Sequence, residues 1–313
     1  MTAAVETIRR AAGRQPLLLI VAGVFLYSTG PVMVQASSVS GPVFSFWRLW
    51  FGVGIFGVAT LVHVRLRGMP TAHGWSWSAK AGVAFGIHQL LFMSAVKATS
   101  VVDVTLIGTL QPIVVGVLAV PMFGERPGIR FRAWSVVAMG GAAIIVLAGS
   151  TGPEGNPDGM ALATVNVVFF SLFFVWSKAG REHIPVVPFL FGVMAVAAVL
   201  VSAFVAVTGE APGSADGTDL VLALAVAAIP GAIGHVLVTW PLRWVPANIP
   251  PLIKLAGPIM SGGLAWIFLG ESAGLAVLVG GAVTLAGVAG ALLSPAGRRM
   301  AARAELDPSG VDT

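Results

Sequence analysis

With 313 residues, 57% of them hydrophobic and only 10% charged, the chain lacks the polar surface of a soluble domain, where about 25% of residues are charged. The absence of cysteine excludes disulfides, thiolate metal sites, iron–sulfur clusters and a cysteine nucleophile. The net charge of +5 does not point to nucleic acid, because the basic residues stand in short clusters between apolar runs, a membrane pattern.

Apolar runs of about 20 residues can cross the hydrocarbon core as helices. Ten such runs follow one another: Leu17–Gln35, Val43–Val62, Ala79–Val96, Val101–Phe123, Ala133–Gly149, Gly159–Ser177, Val186–Thr208, Leu220–Pro241, Ala247–Leu269 and Leu275–Ser294. Backbone groups in lipid must bond within their own segment, so these spans are read as helices. No stretch alternates as a transmembrane barrel strand would. The sequence thus predicts an all-α membrane protein with polar tails at 1–16 and 295–313. The first span ends in Val34-Gln35-Ala36, which resembles a signal-peptide cleavage site. Its apolar core is too long for that, and it is kept as a retained helix.

Basic residues set the orientation. With the amino terminus inside, the inner segments hold Arg9, Arg10, Arg14, Arg65, Arg67, Lys80, Arg126, Arg130, Arg132, Lys178, Arg181, Arg243, Arg298, Arg299 and Arg303. Arg48, Lys97 and Lys254 are the remainder, and the outer loops carry Glu154, Asp158, Glu210, Asp216 and Asp219. The expectation is a multi-pass protein of the inner or plasma membrane with both termini cytoplasmic.

The chain also repeats itself. A shift of 146 residues pairs Pro42 with Pro188, Lys97 with Arg243, Pro112 with Pro258, Gly116 with Gly262, Gly124 with Gly270, Glu125 with Glu271 and Gly141 with Gly287. Apolar matches would be expected by chance in such a composition; matches in proline, glycine and charge are not. Each unit has five spans, an odd number, so the second enters the membrane from the opposite side. Inverted repeats of this kind place a binding site near the bilayer midplane between the halves.

The stretch Ala95-Val96-Lys97-Ala98-Thr99-Ser100, then Gln111-Pro112 and Phe123-Gly124-Glu125-Arg126-Pro127, resembles the EamA-like repeat of the drug/metabolite transporter superfamily. The second copy reads Pro241-Leu242-Arg243-Trp244-Val245-Pro246, Gly257-Pro258 and Leu269-Gly270-Glu271. The resemblance implies repeats over 17–150 and 158–294, with spans one to four and six to nine around a central cavity and spans five and ten peripheral. It also implies a secondary transporter, usually an exporter of amino acids, metabolites or drugs, although some relatives import or exchange. Lys254, where the first repeat has Gly108, departs from the pattern.

An ionisable group within a span costs at least ~2.5 kcal/mol on insertion scales and calls for an explanation. Lys254 reads either as a fixed cation facing a solute's carboxylate or phosphate, or as a lysine snorkelling to the inner interface. His88 and Gln89 lie mid-span, and the repeat shift sets Gln89 opposite His235. These histidines could couple proton movement to transport, or simply bond between helices. Asp103 reads as an outer ion pair or helix cap, with proton binding as the alternative, and Arg48 as structural. Ser28 before Gly30-Pro31, Asn166, and Gln111 beside Pro112 are softer candidates, since most neutral polar residues in spans join helices. Trp176 reads as an interfacial anchor or as a ring stacking on a solute. Glu125 and Glu271 read as caps or braces of the spans that follow them. Gly280, Thr284, Gly287 and Gly290 permit close helix approach, either within the fold or in a homodimer.

The substrate-binding candidates are therefore Lys254, His88, Gln89, His235, Trp176, Asn166, Ser28 and Gln111, and the proton-coupling candidates are His88, His235 and Asp103. No catalytic residue, metal site or cofactor is expected; the partners are a small solute and the lipid bilayer. An intramembrane enzyme would need a Gly-x-Ser-x-Gly, His-Glu-x-x-His or paired-aspartate pattern, and none occurs. A receptor or assembly subunit would be expected to carry a substantial soluble domain or long tail.

Overall fold

The computed structural model describes residues 16–99, 101–125, 127–148, 156–260 and 275–294, apart from the side chains of 101–103 and 277. The two tails, Asp103 as a side chain, Arg126, Glu154, Gly262, Gly270 and Glu271 lie outside the described residues. The described chain is helical, and eight helices are long and apolar enough to cross a membrane: Pro16–Ala36, Gly41–Arg67, Ala72–Ala98, Val104–Phe123, Ile129–Ala148, Pro157–Arg181, Val186–Thr208 and Gly217–Arg243. Shorter apolar helices, Ile249–Met260 and Leu278–Leu293, stand where the ninth and tenth spans are expected.

Several spans outrun their apolar runs because local chemistry extends them. Ser40 caps the second span, its hydroxyl accepting from Val43 N at 3.4 Å, and Thr71 caps the third by accepting from Gly74 N at 3.2 Å. The sixth continues to Arg181 because its last turn finds partners: the Arg181 guanidinium donates to the Ile184 carbonyl, and Lys178 donates to Val245 O at 2.8 Å.

Contacts between loops define two ends. At one, Ser38 N and Oγ both donate to Asp219 at 2.7 Å, Ser40 Oγ donates to Glu210 at 2.7 Å, Trp47 Nε1 donates to Pro212 O at 2.9 Å, and Asn156 N donates to Thr99 Oγ1 at 3.2 Å. This acidic end also gathers Asp158 and Asp216. At the other, His73 and His183 rings meet at 4.6 Å and Lys178 pairs with Glu125 at 3.2 Å. Loops between spans two and three, four and five, six and seven, and eight and nine share this basic end. The first span starts at the basic end, whereas the sixth starts at the acidic end. The two five-span units are therefore inverted.

Packing crosses between the units. The third span lies on the sixth and seventh, the second on the seventh, the first on the eighth, and the fifth on the tenth. Glycines set these distances. A Cβ on Gly82 would fall 2.7 Å from Val196 Cβ, and one on Gly141 would fall 2.5 Å from Thr284 N. Gly280, Thr284, Gly287 and Gly290 thus face the fifth span, against Gly141, Ala138 and Trp134. The small-residue row of the tenth span serves packing within the fold.

Candidate functional site

Four spans depart from the α-helix at one level of the bundle. The first breaks at Ser28–Thr29 ahead of Pro31, the fourth at Thr109–Leu110 ahead of Pro112, and the ninth at Leu255–Ala256 ahead of Pro258. The eighth passes through a π-helical stretch, Ala227–Gly234, that contains Pro230. Proline supplies no backbone donor and clashes with the preceding turn, which opens the ladder, and π-helical turns recur at functional sites. The breaks in spans four and nine are related by the 146-residue shift, so the repeat extends to its defects.

Around the breaks, side chains add hydrogen bonds to carbonyls of the preceding turn. Ser28 Oγ donates to Val24 O at 3.1 Å, Thr29 Oγ1 to Leu26 O at 2.7 Å, and Thr109 Oγ1 to Leu106 O at 2.7 Å. His235 Nδ1 lies 2.9 Å from Pro230 O. A carbonyl only accepts, so Nδ1 carries the hydrogen and Nε2 is left as an acceptor. That Nε2 is buried and has no partner among the described residues.

The breaks surround a cavity of about 390 Å³ lined by residues of both repeats. Its polar lining includes Tyr27, Ser28, Arg48, His88, Gln89, Asn166, His235 and Lys254, and its apolar lining includes Val24, Phe92, Met93, Val104, Ile145 and Phe170. His88 lies flat on Phe170, ring centroids 4.0 Å apart and planes 6° apart, with its Nδ1 2.6 Å from Asn166 Oδ1. Phe85 and Phe173 lie beneath, each within 6 Å of the His235 ring, and Tyr27 meets that ring edge-on at 4.9 Å.

Two cations enter from opposite ends. Arg48 sits seven residues into the helix that begins at Gly41, about 10 Å along its axis. Its Nη1 donates to Gln89 Oε1 at 2.5 Å, and its guanidinium lies 5.5 Å from the Phe85 centroid. Lys254 sits five residues into the helix that begins at Ile249, about 8 Å from the basic end. It donates to Gln111 Oε1 at 3.3 Å, and its ammonium stands 4.5 Å from the Phe170 centroid. No aspartate or glutamate lines the cavity among the described residues.

The chain matches the EamA-like transporter family over residues 14–147 and 158–293, one match to each repeat. It belongs to that family. Members of the EamA-like family are membrane transporters rather than enzymes. A solved crystal structure of a protein shares the fold with a TM-score of 0.73 at 18% identity, covering 89% of this chain and 98% of the other. No curated protein matches.

Of the residues singled out in the sequence, Lys254, His88, Gln89, His235, Asn166 and Ser28 line the cavity, and Gln111 reaches it through Lys254. Trp176 does not. It lies six residues beyond Phe170 on an unbroken helix, and at 3.6 residues per turn that is about 120° away from the cavity face. Arg48, expected to be structural, lines the cavity, as does Tyr27, the chain's single tyrosine, which sequence reasoning passed over. The fifth span, expected to be peripheral, contributes Ile145 and Val146, whereas the seventh contributes no lining residue among those described. Glu125 braces the far repeat rather than the following span: besides Lys178, it accepts from Ala247 N at 3.3 Å.

Proposed function

We propose that this EamA-like protein is a secondary transporter that exports a small solute by alternating access, holding it in the cavity between the repeats. The observation that carries this reading is the convergence of polar groups from both inverted repeats on one cavity, at the level where four spans break. Broken helices lining a midplane cavity are the recurring design of inverted-repeat carriers. The cavity's lining extends toward the acidic end as far as the buried Val34, Val96 and Val146, while the basic end is tied across the repeats by Lys178, Glu125, Leu242, Val245 and Ala247. With the basic end assigned to the cytoplasm of the inner or plasma membrane, this cross-repeat tie is the cytoplasmic gate of the proposed cycle. The domain boundaries proposed from the sequence, 17–150 and 158–294, mark the two units that together enclose the cavity.

The natural absence of cysteine makes the test direct. Single cysteines replacing Thr105, a part-exposed lining residue toward the acidic end, and Val245, buried at the basic end, are labelled in oriented membranes with a water-soluble thiol reagent. Alternating access predicts reciprocal changes: conditions that protect one site expose the other. Independent reactivity at the two sites overturns the mechanism. A proton is our candidate coupling ion, supported by the two cavity histidines and the free Nε2 of His235. The double change His88→Gln/His235→Gln is expected to remove the pH dependence of flux in proteoliposomes, and an unchanged pH profile excludes the histidines from coupling.

A further inference from the structure

We infer that the cavity selects an organic anion, a carboxylate carried on a compact apolar body, and that Arg48 and Lys254 share its charge. This deepens the transporter reading and rests on it. The argument begins from a charge imbalance. A charged group inside a membrane is tolerated when it is paired or hydrated. Elsewhere in this chain a buried cation is paired in the ordinary way, Lys178 with Glu125. Arg48 and Lys254 are not: each donates to the oxygen of one neutral amide, Gln89 or Gln111, and neither forms an ion pair with a described residue.

The donors also remain incompletely used. Arg48 is 4% exposed, and its Nε has no partner among the described residues. A guanidinium with one edge on an amide keeps further N–H groups in a fixed plane, the geometry that matches the two oxygens of a carboxylate. The eighth span presents bare backbone at this point, since a Cβ on Gly231 would lie 3.5 Å from Arg48 Nη2. On the other side, the amide nitrogen of Gln111 is buried without a partner among the described residues. Tyr27 brings a further unpartnered hydroxyl to the same wall.

Between the cations the lining is largely apolar, with Val24, Phe92, Met93, Val104 and Ile145 offering nothing to a second charged group. The solute that fits is one with a charged head and an apolar remainder. A cationic solute would meet two like charges and no counter-charge among the described residues, so the site discriminates against cations by repulsion as well as by lost pairing.

Matched probes test this on the purified full-length protein in detergent. Three series share a body and differ in charge: phenylacetate, phenylacetamide and phenethylamine; isovalerate, its amide and isopentylamine; indole-3-acetate, its amide and tryptamine. Calorimetric titration is expected to show, in at least one series, an acid binding tenfold or more tighter than its amide, with the amine weakest. Lys254→Gln and Arg48→Gln each erase the acid–amide difference, while Lys254→Arg keeps it. Equal binding of acid and amide in every series overturns the proposal, as does preference for an amine or an acid preference that survives Lys254→Gln. If Arg48→Gln does not give monodisperse protein, the wild-type acid–amide comparison and Lys254→Gln decide alone. Flux separates the two readings. An acid that binds through Lys254 but does not cross proteoliposomes sinks transport and leaves the anion site. Amines or amides that cross while acids do not sink the anion site and leave transport.

Discussion

The basic end of the bundle holds a buried lysine and its central cavity a half-buried one, and the two are treated in opposite ways. Lys178 has a carboxylate at 3.2 Å, a carbonyl at 2.8 Å, a second carbonyl at 3.4 Å and a phenylalanine ring at 5.5 Å. Lys254 has one neutral amide at 3.3 Å and one ring at 4.5 Å. At the end of the bundle, the ammonium joins the last turn of the sixth span to the loops after the fourth and eighth, and its valence is filled by protein. In the cavity the ammonium is merely positioned. A cation whose pairing is complete contributes to structure; one left with a neutral partner is available to a ligand.

Three substitutions test that contrast, in descending order of their effect on stability. Lys178→Ala removes a buried ammonium with its two carbonyl bonds and leaves the half-buried Glu125 without its counter-charge, and is expected to destabilise the protein by about 3 kcal/mol, seen as a lower unfolding midpoint in detergent. At the acidic end, Asp219→Ala removes both bonds from Ser38 and the reciprocal cap with Asp216, a loss of about 2 kcal/mol on the same measurement. Lys254→Met is expected to stay within about 1 kcal/mol of wild type, with a gain the favoured sign, because replacing a half-buried charge that has no carboxylate partner among the described residues with an apolar group relieves desolvation. Its flux in proteoliposomes should nonetheless fall to background. Should Lys254→Met unfold as readily as Lys178→Ala, the distinction between the two lysines collapses.

Hydropathy made the spans legible, because twenty apolar residues have few fates other than crossing a bilayer. The repeat was legible through proline and glycine, whose backbone demands persist when apolar residues interchange. Much of the cavity lining followed, since His88, His235 and Lys254 are costly to place in lipid and so stand out in the spans. Arg48 was hidden by its proximity in sequence to a loop. Depth along the chain did not reveal that the broken first span and the π-helical eighth open the bundle beside it. Tyr27 was hidden by chemistry, because a lone tyrosine suits an interface as well as a cavity. The Gln89 amide pointing at Arg48 is the signal that could have linked them: both belong to spans adjacent in sequence, at matching distance from the acidic end. Trp176 shows the converse, a residue of the right type and span on the wrong face.

The cross-packing of the two units has a consequence for how such a chain comes to exist. The second span finds its main neighbour in the seventh, the fifth in the tenth, and the first in the eighth. A lone quintet of helices would present each of those faces to lipid, with Gly141 and Gly82 cut for companions it does not possess. It could satisfy them only by meeting a sibling inserted upside down. The joined polypeptide makes that encounter certain, delivering one of each orientation from every ribosome in fixed one-to-one proportion.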